Sequence, residues 1–582
     1  MDGWIHEVSA REVKEPVQEA AASLAGVGNA EGGQTIIRDG RTKVYMTPAS
    51  CIPRLNPVSY KTNEHYGDNN CWNDGRENGG DLLLSVADAI RSRLFTTVST
   101  KHQKAFGQYF TPPHVANLMA KMLTIAAPEI RLLDAGAGVG ILSAAFVYHQ
   151  LKRPSPPRRI DVTAYELDPS LIQGIEQTYD ACRQACEEHG VVFKATIHNT
   201  DFIAEAVELL RNDLFSVAAP QFDAAIANPP YGKLSTESEA YRHLRAIGAE
   251  TTNLYTAFLN LIIGLLKPKG ELVAITPRSF CSGLYFKSFR QQLFKTMRLR
   301  GIHAFKSRAA AFKRDNVLQE NIIIHAVKDT EPHPTLRISQ SGGNEGDAAS
   351  SRIVLATDVV SPTDPEAFIH IPTGQEDMAA RSQISRLEGT LENLGLTVST
   401  GKVVDFRVRE HLRQQPEEDT FPLIYPCHFD PLFVAWPTHH GRKPNAIHDN
   451  VQTQGLVVPA AVYVLTKRFT SKEERRRVVA CIYDPSRIEA RQVGFENHLN
   501  YLHAAGNGLD MVLAKGLWAF LNSTALDLYF RQFSGHTQVN ATDLRNMRFP
   551  TESQLRAMGR QIKDTGADQD EIDRIFTKET AS

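Results

Sequence analysis

The sequence predicts an α/β fold: an open, doubly wound, mostly parallel sheet of about seven strands, followed by a C-terminal domain of mixed α/β structure. Three observations carry this expectation. From about Gly107, apolar runs of strand length alternate with amphipathic helical patterns. Several of those runs end in glycine, acid or proline, as strands do where a wound sheet meets its ligand. Past "TGKVVDFRVREHL", Thr400 to Leu412, the alternation stops.

The runs, in order, are "IRLLDAGAG", "IDVTAYELD", "KATIHNTDF", "FDAAIANPP", "GELVAITP", "RLRGIHAF" and "ENIIIHAVK". Helical segments such as "GILSAAFVYHQLKR" and "TNLYTAFLNLIIGLLK" lie between most of them. Five segments are expected: a polar, turn-rich arm or cap over 1–100, a wound domain over 101–335, a connector over 336–380 that contains "SQSGGNEGDAASS", a second domain over 381–560, and a tail over 561–582.

With 582 residues, 42% hydrophobic and 22% charged, the chain can bury a large core. Its longest apolar stretch, Leu254 to Leu266, is too short to span a bilayer and stops at Lys267-Pro268-Lys269-Gly270. No membrane partner is expected. The start "MDGWIHEVSAREVKEP" has neither the basic head nor the apolar centre of a secretory signal, so a cytoplasmic protein is expected. Seven cysteines, of which only Cys182 and Cys186 are close, suit a reducing compartment and call for no metal site. A net charge of −2 offers no general attraction to nucleic acid, so any such partner must be met by local clusters.

The first strand ends in Asp134-Ala135-Gly136-Ala137-Gly138-Val139-Gly140 and opens a helix. Such a turn lets a ligand approach the main chain and the helix N-terminus, although its G-x-G-x-G spacing only approximates a dinucleotide fingerprint. The second strand ends in Tyr165-Glu166-Leu167-Asp168-Pro169, where a carboxylate suits a ribose hydroxyl pair. The third ends in Asp201 and Phe202, an acceptor for an exocyclic amine beside an apolar face for a purine. Taken singly, each acid could as well cap a helix. Three successive strand ends argue for a cofactor.

The fourth strand runs into Asn228-Pro229-Pro230-Tyr231. Two prolines stiffen the chain and remove two donors, leaving carbonyls free to accept; Asn228 adds a side-chain acceptor and Tyr231 a stacking face. A planar amine such as adenine N6 is a poor nucleophile, and two acceptors holding both hydrogens favour its reactive pyramidal form.

This set resembles the S-adenosylmethionine-dependent amino-group methyltransferases, specifically N6-adenine DNA methyltransferases with a C-terminal target-recognition domain. The resemblance covers most of Gly107 to Pro550 and includes "GQYFTPPHVANLMA" ahead of the glycine loop. It implies a Rossmann-like methyltransferase domain and S-adenosylmethionine as cofactor. It further implies that Tyr109, Phe110 and Thr111 contact the cofactor, that Asp134, Gly136 and Gly138 shape its methionine pocket, and that Glu166 takes the ribose. Asp201 and Phe202 would hold its adenine, while Asn228 and the Pro229 carbonyl accept from the target amine. Phe312, in "AAAFKRDNVLQENIII", matches the residue that stacks on a flipped base opposite Tyr231. Ala137 and Val139 depart from the commonest loop.

"VSTGKVVDFR", "ENHLNYLH" and "FSGHTQVNATDLRNMRFP" are similar to segments of Eco57I-like and PstI/BsuBI-like methylases. The resemblance implies double-stranded DNA as partner, base flipping, and service as the modification component of a restriction-modification system beside a cognate endonuclease. Arg407, Arg409, Lys467 and Arg468 offer phosphate contacts, and His536, Gln538 and Asn540 a polar loop for base edges or phosphates. The Arg475–Arg477 run in "KRFTSKEERRRVV" fits a phosphate contact or a solvated helix face equally. Cytosine N4, an RNA base, a protein glutamine, or a fused methylase-nuclease remain alternatives.

Overall fold

The computed structural model describes residues 80–97, 110–211, 220–306, 320–343, 347, 349–438, 442–471, 473–535 and 537–581. The seven apolar runs form β1 (Glu129–Ala135), β2 (Arg159–Tyr165), β3 (Val192–His198), β4 (Phe222–Ala227), β5 (Leu266–Pro277), β6 (Met297–Phe305) and β7 (Asn321–Lys328). They lie in the order β3-β2-β1-β4-β5-β7-β6. The first five pair in parallel, and β7 runs antiparallel to both β5 and β6.

Apolar runs rather than strict alternation mark these central strands because helices cover both faces. In β1, Ile130 and Leu132 enter one core and Leu133 and Ala135 the other; in β5, Val273 and Ile275 oppose Leu272 and Ala274 in the same way. Helices Pro113–Met122, Ile141–Leu151 and Ile172–Glu188 cover the first face, and Phe202–Leu210, Leu254–Leu265 and Lys287–Thr296 the second. Strand order reverses between β1 and β4, so the turns after those two strands flank the crevice where open α/β sheets take ligands.

Three segments are more ordered than their composition suggests. The expected connector carries β8 (Thr335–Ser341) and β9 (Ser350–Leu355), which extend the sheet to nine strands, with β8 parallel to β6. "SQSGGNEGDAASS" overlaps the end of β8 and the start of β9, and its glycines and acids concealed both strands. In the expected arm, the helix Gly80–Thr97 buries Leu83, Ala87 and Ile90 against helices Ile141–Leu151 and Ile172–Glu188. The spacing of those three residues is that of one helix face. The rest of the arm, 1–79, lies outside the described residues. In the expected tail, helix Gln569–Thr580 buries Ile572, Ile575 and Phe576.

The C-terminal region builds a four-stranded sheet, β10 (Thr397–Thr400), β18 (Leu499–His503), β15 (Tyr463–Lys467) and β16 (Ala480–Tyr483). A five-stranded sheet joins β11 (Leu412–Arg413), β13 (Ala446–His448), β12 (Thr420–Ile424), β17 (Gln492–Phe495) and β14 (Val457–Pro459). Helices Gln375–Ser385, Met511–Leu521, Thr524–Phe533, Glu552–Gln561 and Gln569–Thr580 complete its largest core. A Cβ at Gly559 would stand 1.8 Å from the Val512 carbonyl, so glycine is what lets Met511–Leu521 and Glu552–Gln561 cross so closely. Among the described residues, no helix is long and apolar enough to cross a membrane.

Candidate active site

The glycine loop is built by the end of β1 and held by β2. The peptide N–H groups of Gly136 and Ala137 both donate to the Tyr165 carbonyl at 2.9 Å. Gly136, Gly138 and Gly140 have φ of 77°, 61° and 80°, left-handed values that explain the glycines directly. The Phe110 ring lies over Gly138, about 3.8 Å from where a Cβ would stand. A Cβ on Gly136 would come within 3.9 Å of the Asn228 carbonyl and 4.0 Å of Pro230 Cδ. Loop and tetrapeptide therefore face each other across the crevice.

Asp134 is fully buried beneath the loop. Its carboxylate accepts from the Ser143 hydroxyl at 2.6 Å, and Ser143 accepts from the Tyr179 hydroxyl at 3.1 Å. Burial pushes its pKa up to about 7, against the Ser143 side chain and backbone, which pull it down. Asp134 thus shapes the loop by anchoring the helix that follows it.

Glu166 sits at the loop mouth with 7% of its surface exposed. Its carboxylate accepts from the Gly138 N–H at 2.8 Å and the Asp168 N–H at 2.9 Å. Burial raises its pKa to about 7, the neighbouring Asp168 charge adding to the rise while those N–H groups oppose it. A residue that sequence reasoning missed supports it: Asn199 donates to the Glu166 carbonyl at 2.9 Å and the Leu167 carbonyl at 3.3 Å. Asn199 stood in the quoted "HNTDF", two positions before Asp201, but nothing in the sequence pointed it at the next strand.

Asp201 is exposed and caps the helix Phe202–Leu210, accepting from the Ile203 N–H at 2.8 Å. Phe202 is buried between Tyr165 and Phe258, with ring centroids at 5.1 and 5.0 Å.

Asn228 follows β4, and its side-chain N–H donates to Thr111 Oγ1 at 3.1 Å. Thr111, named from the sequence as a cofactor contact, is buried and accepts this bond from the tetrapeptide. Pro229 is buried, and Tyr231 is half-buried, edge-on to Tyr255 at 6.3 Å. Tyr109 and Phe312 lie outside the described residues.

On the C-terminal region, Arg407 and Arg409 are exposed, and Arg409 lines a shallow cleft with Gln414, Arg442 and Lys443. Lys467 lies over the Phe429 ring and Arg468 over Phe469, at 5.8 and 5.6 Å. Arg468 also donates to the Asn497 carbonyl at 3.2 Å. Gln538 bridges Phe469, whereas Asn540 caps the helix Ala541–Arg545 through Asp543. His536 lies outside the described residues. The arginine run forms no helix, and Arg477 is fully buried, bonded to Thr470 and Ser534. That corrects both readings of Arg477, whose side chain turns inward while Arg475 stays exposed.

A cofactor with a ribose, an adenine and a charged methionyl tail fits this crevice. Positive-φ glycines keep side chains off the loop's main chain, a carboxylate stands at its mouth, and Phe110 roofs it. Fold and site define an S-adenosylmethionine-dependent methyltransferase.

The Eco57I restriction-modification methylase family matches residues 168–312. The chain is 42% identical over 497 residues to the type II methyltransferase M.PstI of Providencia stuartii, covering 85% of this chain and 97% of that protein. It is 39% identical over 483 residues to the type II methyltransferase M.BsuBI of Bacillus subtilis, covering 82% and 94% respectively. A shorter match, 27% identical over 150 residues, is to the tRNA1(Val) (adenine(37)-N6)-methyltransferase of Tolumonas auensis and covers 25% of this chain and 51% of that protein. The chain belongs to the type II methyltransferase family, the modification methylases of restriction-modification systems. It is a DNA methyltransferase that uses S-adenosylmethionine.

Proposed function

We propose that the methyl group goes to the N6 amine of adenine in a short sequence of double-stranded DNA. The observation that carries this reading is the placement of Asn228-Pro229-Pro230-Tyr231 at the end of β4, across the crevice from the glycine loop of β1. When bound, the cofactor supplies an electrophilic methyl on a sulfonium. Glu166 receives the ribose hydroxyls, Asp201 and Phe202 the cofactor's adenine, and the loop around Gly136 and Gly138 its methionine end.

The Asn228 amide, turned by its bond to Thr111, presents its oxygen to one hydrogen of the target amine, and the Pro229 carbonyl takes the other. Holding both hydrogens draws the nitrogen lone pair out of ring conjugation and toward the methyl donor. Tyr231 stacks on the base, which must leave the helix because N6 is inaccessible in a stacked duplex. Phe312 is assigned to the opposite face on the sequence resemblance. The exposed Arg407 and Arg409 and the half-buried Lys467 and Arg468 take phosphates, and Gln538 reaches toward base edges. Two arms of the family relationship support adenine and DNA separately: the tRNA relative is named for adenine N6, and the longer relatives are type II methyltransferases.

The test is methylation of a mixed-sequence plasmid by purified protein and S-adenosylmethionine, read by single-molecule sequencing. N6-methyladenine at one short motif is the expected result. Binding of the cofactor without any modified adenine overturns the adenine assignment and turns the search to cytosine N4 or RNA. A partner endonuclease of the same specificity is the further expectation, checked by protection of the methylated plasmid from extracts of the source cells.

A further inference from the structure

Arg278 is the first residue beyond β5, the strand beside β4, and only 8% of it is exposed. Its peptide N–H donates to the Glu320 carbonyl at 2.7 Å, and its guanidinium donates to the Glu320 carboxylate at 3.0 Å. The other arm of the fork donates to the carbonyls of Arg531 and Gln532, at 2.7 and 2.6 Å. Those carbonyls end the helix Thr524–Phe533, where acceptors lack intrahelical donors and the helix dipole is negative. The planar, multidentate guanidinium holds a carboxylate and two such carbonyls together in one fixed geometry.

Both ends of this bolt lead to working parts. On the catalytic side the next residue, Ser279, bonds the Tyr255 hydroxyl at 3.1 Å, and Tyr255 packs on Tyr231. On the other side the chain runs from Gln532 into Gly535, where a Cβ would lie 2.6 Å from the Arg278 carbonyl carbon. Beyond it, the Thr537 carbonyl accepts from the Thr470 N–H at 3.0 Å, the Val539 N–H donates to the Arg468 carbonyl at 2.7 Å, and Gln538 bridges Phe469. The backbone carrying the proposed DNA contacts is thus registered against the end of β5, the strand paired with the one that leads into the proposed catalytic tetrapeptide.

The geometry points to Arg278 as a positioning residue that sets where DNA held by the C-terminal region is delivered relative to Asn228. This rests on the adenine N6 reading of the site. The guanidinium of Arg278 is engaged by protein acceptors on both sides and acts by fixing the distance between two surfaces, and an error of about 1 Å in such a distance can cost up to about a hundredfold in rate.

Two substitutions act from opposite sides of the contact. Arg278→Lys keeps the charge and removes the fork, while Gly535→Ala keeps every charge and pushes the loop away from Arg278. Each full-length variant should bind S-adenosylmethionine and a duplex carrying the methylated motif within about threefold of the parent, by titration calorimetry and fluorescence anisotropy. Each should methylate that duplex about ten- to a hundredfold more slowly at saturating concentrations of both. A kcat within twofold of the parent in both variants overturns the inference. So does a parallel loss of cofactor and DNA binding, or unfolding of both variants, because the bolt is then a stability element only. If just one variant folds, the same comparison is decided on it. Failure of the parent itself to methylate adenine would strike the underlying reading instead, so the two failures are distinguishable.

Discussion

The carboxyl edge of the nine-stranded sheet and the basic face of the C-terminal region both display polar residues singled out by their chemistry, yet they use them differently. At the sheet edge each residue follows a buried strand whose register leaves its position little choice: Asp134, Glu166, Asp201 and Asn228 end β1, β2, β3 and β4 or lie within three residues of those ends. On the basic face, similar residues divide between solvent and interior. Arg409 is exposed, Arg477 is buried, and Asn540 is engaged in a helix cap. Residue type reports placement where a strand end already fixes the position, and reports little where folding decides which way a side chain points.

The largest effect that can break this contrast is expected at Asn228. Asn228→Ala should lower methyl transfer by at least about a hundredfold while cofactor affinity stays near normal, as for loss of a positioned acceptor. Single-turnover kinetics beside titration calorimetry checks it, and near-normal turnover removes Asn228 from the mechanism.

The next effect lies at Glu166, whose burial places its pKa at about 7. The ionised form is the one that accepts from ribose hydroxyls, so cofactor affinity should hold above pH 7 and weaken as pH falls below it, approaching tenfold per unit. Protonation favours the folded cofactor-free protein over the ionised state, so the linked stability contribution is complete below the ordinary carboxylate range and lost as pH rises through about 7. Calorimetry across pH 6 to 8 should show proton release on binding, and Glu166→Gln should flatten the profile; a flat profile in the parent would end this role.

A smaller loss is expected at Thr111. Thr111→Val removes the acceptor for the Asn228 amide, worth about 1 kcal/mol, so kcat should fall about five- to tenfold with cofactor and DNA affinity retained. Thr111→Ser should restore most of it. If valine instead weakens cofactor binding with kcat unchanged, Thr111 serves the cofactor, as its place in the sequence motif implied.

On the basic face the effects should be smallest. Lys467→Gln should weaken DNA binding only a few-fold and reduce the slope of log affinity against log salt by about one, without changing the methylated motif. Anisotropy titrations between 50 and 200 mM salt measure it, and an unchanged slope would take Lys467 off the phosphate path.

Much of the catalytic half was legible because its signals are local. A φ of 77° at Gly136 demands glycine wherever the loop sits, and consecutive prolines stiffen the chain after Asn228 in any surroundings. The central runs, β1, β4, β5 and β7, announced strands because burial on both faces leaves mostly apolar residues in a row. β8 and β9 escaped notice because one of them, Ser350–Leu355, begins with two serines and an arginine and has exposed Ile353 and Leu355. An edge strand with so little buried surface shows only a three-residue apolar run, Ile353 to Leu355, too short to stand out as a strand. Asn199 and Arg278 escaped because their partners are 32 to 254 positions distant, and separation in sequence encodes no contact.

By itself, then, the sequence determined the wound sheet, the glycine loop and the place of the tetrapeptide at a strand end, since each follows from backbone preferences and burial within a few residues. Only the tertiary structure decided that Thr111 turns the Asn228 amide, that Arg477 is internal, and that Arg278 ties the C-terminal region to the catalytic edge. Those outcomes depend on which distant surfaces meet, and a hydrogen bond forms only when folding brings donor and acceptor within about 3 Å.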